Sequence, residues 1–218
     1  MFNHIELDLT TCKLSQVNED GTRYYVTPEG NEYPSVTTVL SEYNRKFISE
    51  WRNRVGADKA NEITRKASNR GTKFHKHCED YLKNLSPDFK TPFEIEAFNT
   101  FKPLLNRINN IYVQETRMYS NHLRMAGTVD CIAEFDGKLS VIDFKTASKP
   151  KLKESIENYF MQCSAYAIMF EERFKLPVAR TVVMISVDGE DPQIFQEKRD
   201  TYVERLFHYR DLYEQNNC

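Results

Sequence analysis

Two periodicities divide the chain. Apolar residues alternate and cluster at strand spacing in three stretches, 111–119, 124–134 and 139–144. Ser120-Asn121-His122 separates the first pair and Asp136-Gly137, a favoured hairpin dipeptide, the second, so the three predict an antiparallel meander. Ile156, Tyr159, Phe160, Cys163, Tyr166, Ala167 and Phe170 then recur at the three-four spacing of one helix face. Residues 178–187 form a nearly continuous apolar run of the kind buried on both sides of a sheet. Strand, helix, strand predicts a right-handed crossover that sets the last strand parallel to its neighbour. A closing amphipathic helix is expected over 194–215, with Tyr202, Leu206, Tyr209 and Tyr213 turned inward.

Upstream the pattern is different. Residues 1–33 predict short strands, because 23–27 is rich in Tyr, Val and Thr and Pro28-Glu29-Gly30-Asn31 is a turn signal. From Pro34 the spacing becomes helical, through 35–43, 46–54 and a long polar helix over 57–83. Thr91-Pro92-Phe93-Glu94 supplies an N-cap, a first-turn proline and a glutamate that reaches back, so a further helix starts there, with a kink expected at Pro103. The sum is an α/β fold: a hairpin and helical portion over 1–110 and an α/β core over 111–218, expected to form a single domain.

Composition narrows the partners. The formal charge is -2, so no global basic field marks a nucleic-acid binder and any DNA groove must be a local patch. Five cysteines at 12, 78, 131, 163 and 218 include no C-x-x-C pair, which predicts reduced thiols in an intracellular, cytoplasmic protein. No run approaches the roughly 20 apolar residues that span a bilayer. Residues 1–14 carry Glu6 and Asp8 without an arginine-rich amphipathic pattern, so neither a membrane partner nor a targeting peptide is expected.

The candidate chemistry lies in the meander. Asp143-Phe144-Lys145-Thr146 places Asp143 and Lys145 on one face of a strand, and Asp130 closes Gly127-Thr128-Val129-Asp130 on the strand before it. Two carboxylates suit a hard divalent ion, and an adjacent ammonium can orient water and offset phosphate charge. A lone D-x-K triplet is also what a surface salt bridge looks like.

Four ordered motifs favour the first reading: Gly71-Thr72-Lys73-Phe74-His75 on a helix, the Asp130 strand, the Asp143 strand, and Gln162-Cys163-Ser164-Ala165-Tyr166 on the next helix. Together they resemble the PD-(D/E)XK nuclease superfamily, in its RecB-like branch, with Asp143 where a Glu is usual. Tyr33-Pro34-Ser35-Val36-Thr37-Thr38-Val39-Leu40, Trp51 and Gly56 extend the likeness to mitochondrial genome maintenance exonucleases and their phage relatives.

The resemblance implies a restriction-endonuclease-like core and a deoxyribonuclease acting on single-stranded DNA ends or flaps in replication, recombination or repair, alongside proteins of those processes. It implies Mg²⁺ or Mn²⁺ held by His75, Asp130, Asp143 and the Phe144 carbonyl, with Lys145 as the catalytic amine. Gln162 and Tyr166 would brace the site and meet DNA. Thr146, Gly71 and Ser35 within the matched motifs, with Arg70 and Lys73 on the cationic helix, complete the expected substrate contacts. Glu115 matches an acidic position in the first strand.

Lys59, Arg65, Lys66 and Lys76 add charge to that helix, and Tyr33, Tyr43, Trp51 and Phe74 are candidate stacking platforms. No zinc is expected, since His75, His77 and Cys78 do not share a helical face, and no iron-sulfur cluster, since Cys218 is the one cysteine after Cys163. Two alternatives share the fold: a non-catalytic nucleic-acid or partner-binding module, and an endonuclease of the same superfamily.

Overall fold

A computed structural model describes residues 1–19 and 22–217. Its centre is a five-stranded sheet of β4 (Ile108–Ser120), β5 (Met125–Phe135), β6 (Lys138–Ala147), β7 (Arg180–Val187) and β8 (Gln193–Lys198), in that spatial order. β4, β5 and β6 form the antiparallel meander, with Phe135 opposite Lys138 across the Asp136-Gly137 turn. Helix α5 (Glu157–Phe174) then carries the chain to β7, which pairs parallel to β6 with Asp143 opposite Val183.

Alternate residues of the central strands enter opposite cores, as the period of two requires. Val141, Val183 and Ile185 join a cluster under α5 and α6 (Val203–Asn217), while Ile142, Val182 and Met184 join one under α3 (Ala57–Leu82) and α4 (Pro92–Leu105). Burial on both faces is why 178–187 lacks polar alternation.

The expected closing helix begins later than its pattern suggested. Residues 193–198 instead form β8, antiparallel to β7 with Phe195 opposite Val183, followed by a 3₁₀ turn at Arg199–Tyr202 and then α6. Asp188-Gly189-Glu190-Asp191-Pro192 makes a turn, with Gly189 at φ 71°, and the segment beyond finds a free edge of β7. Tyr202 and Leu206 are buried as expected.

The N-terminal strands form more than a hairpin. β1 (Ser15–Glu19), β2 (Thr22–Val26) and β3 (Glu32–Pro34) make a three-stranded antiparallel sheet, and Tyr25, Tyr33 and Leu14 pack it on Tyr119 and Ala126 of the large sheet. A short helix α1 (Val36–Val39), capped by Ser35 Oγ on the Thr38 N–H, leads into α2 (Ser41–Val55). Gly56, at φ 83°, makes the corner between α2 and α3. Helix α4 starts at the Thr91 cap as its sequence predicts and ends two residues beyond Pro103, at Leu105. No helix among the described residues is long and apolar enough to cross a membrane.

Candidate active site

Three strand and helix positions converge on one point. His75 comes from α3, Glu115 from β4 and Asp130 from β5, and one ligand atom from each lies within 4.8 Å of the others. His75 Nδ1 stands 3.6 Å from Asp130 Oδ1 and 3.9 Å from Glu115 Oε1. Asp130 is oriented by its second oxygen, Oδ2, which accepts the Phe144 N–H at 2.8 Å. That bond ties β5 to the D-x-K strand and leaves Oδ1 facing the imidazole.

Glu115 reaches this point through its backbone. It sits at φ 47° inside β4, a conformation that costs a non-glycine residue of order 1–3 kcal/mol and is retained where the surroundings over-determine it. Burial first, and then the Asp130 charge, push its carboxyl up to about 7. Sequence reasoning gave Glu115 the least certain place; its geometry puts it level with His75 and Asp130. No local sequence signal marks a left-handed residue in mid-strand.

Asp143 and Lys145 share a strand face, as alternation requires, and point toward α5. Lys145 Nζ donates to Asp143 Oδ1 at 2.5 Å and lies 5.0 Å from the Tyr159 ring centroid. Burial raises the Asp143 carboxyl to about 6 against the pull of Lys145. Burial also works against the Lys145 ammonium, but the Asp143 and Asp130 charges outweigh it and hold the amine protonated. Phe144 turns the other way, with its ring against Phe101 and its centroid 6.3 Å from that of the His75 ring, the two nearly perpendicular.

The donors suit a divalent cation. Carboxylate oxygens outnumber the single imidazole, the preference of a hard ion. Asp143 Oδ2, shut away from solvent, has no hydrogen-bond partner, the state expected of an oxygen built to face a cation.

A groove of about 730 Å³ opens over these residues, lined by Gly71, His75, Glu115, Asp130, Lys145, Tyr159, Gln162 and Tyr166 among others. Gln162 and Tyr166 are both buried. Tyr166 holds its place because Gly127 has no side chain: a Cβ there would meet the Tyr166 hydroxyl at 2.6 Å. Gly71 leaves ordinary space, its Cβ position lying 3.9 Å from Thr146 Oγ1.

Other expected contacts lie elsewhere. Lys73 turns to Glu94 of α4 at 2.8 Å, and Arg70 pairs with Asp188 while donating to Thr146 Oγ1 at 3.3 Å. These three border a separate, largely apolar cavity of about 300 Å³ on the other flank of α3. Ser35 is buried as a helix cap, bonded to Thr37 and Thr38. Of the stacking candidates, Phe74 is a core residue and Tyr33 is buried with its hydroxyl on Asn121, because the apolar stripe of α3 and the small sheet face inward. His75, His77 and Cys78 diverge, to the groove, to Phe89 and Glu94, and to the core. Cys12, Cys78, Cys131 and Cys163 are buried free thiols; Cys218 lies outside the described residues.

Sequence reasoning missed Arg23, Thr37 and Thr128 as groove residues. Arg23 and Thr37 arrive from the small sheet and α1, and no spacing rule links those segments to the D-x-K strand.

Comparison with known proteins follows the same outline. A family model described as the PD-(D/E)XK nuclease superfamily matches residues 23–215. Mitochondrial genome maintenance exonuclease 1 of Mus musculus is 28% identical over 177 residues, covering 74% of this chain and 52% of its own length. The protein of that name from Homo sapiens is 30% identical over 177 residues, with 74% and 51% covered, and that of Xenopus tropicalis 27%, with 73% and 50%. The chain thus spans about half the length of the curated relatives it matches. Nucleases of this superfamily use divalent metals and act on DNA. A family match of this extent fixes the kinship: the chain belongs to the PD-(D/E)XK nuclease superfamily.

Proposed function

We propose that this protein is a Mg²⁺- or Mn²⁺-dependent exodeoxyribonuclease that acts on single-stranded DNA ends. The observation that carries the reading is the meeting of His75, Glu115 and Asp130 within 4.8 Å, beside an ion pair of buried Asp143 and half-buried Lys145. Once bound, a divalent ion lowers the pKa of an attacking water and stabilises charge on the phosphoryl group.

The side chains divide the remaining work. His75, Glu115 and Asp130 hold the ion, with the free oxygen of Asp143 as a further donor. Lys145 stays an ammonium, since its acidic neighbours outweigh burial. Its part is therefore to orient water and offset phosphate charge. Asp143 fixes where that charge sits. Tyr159, half-buried at the groove wall, offers a π surface to an unstacked base, and Leu40 and Ile48 extend the apolar wall of the groove. The exonuclease names of the mouse and human relatives support action from an end.

End-labelled linear and circular single strands, incubated with Mg²⁺ or Mn²⁺ and with a chelator, test the proposal. The linear strand is expected to shorten from an end, the circle to survive, and chelation to stop the reaction. Asp130→Asn and Lys145→Ala are each expected to lower kcat by at least about 10²-fold, the scale of losing one transition-state charge partner. Cutting of the circle, or undiminished degradation by the two variants, would overturn it.

A further inference from the structure

We infer that Arg23 is a phosphate-binding residue of the groove and grips the backbone phosphate adjoining the scissile one. The inference rests on the nuclease reading above and adds a substrate contact that the D-x-K elements do not supply.

Three cationic side chains of lysine or arginine line the groove: Arg23, Lys76 and Lys145. Lys145 is bound to Asp143, and Lys76 to Glu79 at 3.2 Å and Asp80 at 2.9 Å. Arg23 alone among them makes no ion pair with the described residues. Its positive charge therefore faces a groove that also holds Glu79, Glu115 and Asp130. A polyanionic strand entering that groove meets one cation whose charge is not already committed.

The guanidinium is held ready. Its Nη2 donates to Thr37 Oγ1 at 2.8 Å, and its central carbon lies 6.0 Å from the Tyr25 ring centroid. Thr37 is held in turn by Ser35 Oγ at 3.0 Å, and the Ser35 N–H donates to the Arg23 carbonyl at 3.0 Å. Ser35 thus serves the groove at one remove, as a positioning residue for Thr37 and Arg23. Meanwhile Arg23 Nε is shut away from solvent with no acceptor. With Nε closed off, the Nη1 and Nη2 groups are the donors a phosphate can reach, and their fork matches two phosphate oxygens. Arginine is the residue suited to such planar, two-point recognition. The scissile phosphate belongs to His75, Glu115, Asp130 and Lys145, so the phosphate left for an arginine entering from the small sheet is its neighbour.

The test pairs protein variants with single strands carrying one uncharged methylphosphonate, scanned along the backbone, in the presence of Mn²⁺. With the wild type, one non-scissile position is expected to raise KM about tenfold and change kcat little, the pattern of lost uniform binding. Arg23→Gln should show the same KM rise on the unmodified strand and no further loss when that position is neutralised. Its kcat/KM should also depend less steeply on salt, by about 0.7 in the log–log slope, the value for one phosphate on a single strand. Arg23→Lys should recover part of the affinity, which carries the comparison if Arg23→Gln melts early. Additive losses, an unchanged KM in folded Arg23→Gln, or a wild-type scan without a sensitive non-scissile position would each overturn the assignment. Asp130→Asn separates the two levels. If it stops cleavage that the wild type performs, the nuclease reading stands whatever Arg23 does; if the wild type cuts nothing, both fall.

Discussion

Tyr166 and Gly127 show how one missing side chain shapes the groove. Gly127 is not in a left-handed conformation; what demands glycine there is the Tyr166 ring, with Cε1 3.1 Å and the hydroxyl 2.6 Å from any Cβ. Gly127→Ala is expected to destabilise the fold by about 1–3 kcal/mol, the range for overpacking, and to lower nuclease activity by moving Tyr166. Urea unfolding and a cleavage assay on the same sample check both. At this scale the sequence was informative wherever chemistry and strand period coincide. Strand alternation put Asp143 and Lys145 on one face and the hairpin turn set Asp130 beside them, whereas His75 was reached only through its place among the ordered family motifs. Glu115 and Arg23 could not be placed so firmly. One depends on a φ of 47° in mid-strand, the other on a sheet that packs against the groove from far along the chain.

Elements were legible where local signals agree and obscure where an edge decides. The Thr91-Pro92-Phe93-Glu94 start of α4 was plain, and its structure adds a second use for Glu94. One carboxylate oxygen takes Lys73 of α3 and the other the Lys90 N–H, so the cap also pins two helices together. Hydrogen bonding from Lys73, and then from the Lys90 backbone, lowers its carboxyl to about 2. A depressed carboxylate contributes stability above its ordinary value of 4.5, and that contribution is lost as pH falls through about 2. Glu94→Gln should therefore melt below the wild type at pH 7, with the gap closing between pH 4.5 and 2 in a series of thermal scans. β8 was illegible for the opposite reason. Its six residues carry mixed polarity, and only the open edge of β7 makes them a strand.

For the whole molecule, two cores back one acidic cleft. The sheet is clamped between α5 and α6 on one face and α3 and α4 on the other, so His75 and Lys145 are delivered to the cleft by packed elements. Such a site concentrates negative charge that a cation relieves. Mn²⁺ at 100 times its Kd should add about 2.7 kcal/mol, a rise of roughly 5–10 °C in Tm for a chain of this length, reversed by chelation. Glu115→Gln should lose most of that rise. It should also melt higher than the wild type without metal at pH 8, where Glu115, whose carboxyl titrates near 7, is an ionised group beside Asp130. Differential scanning calorimetry with and without Mn²⁺ reads both effects. The α/β core of the fold could be foreseen because its patterns are long and local; the docking of the small sheet could not, since it is decided by Tyr25, Tyr33 and Tyr119 meeting across a distance in sequence.

A single parallel bridge, Ser35 to Ala126, joins the small sheet to β5 just ahead of Gly127 and Asp130. The joint ties the ribbon that carries Arg23 to the strand that carries Asp130, so the two side chains are held in one fixed register rather than on independently moving parts.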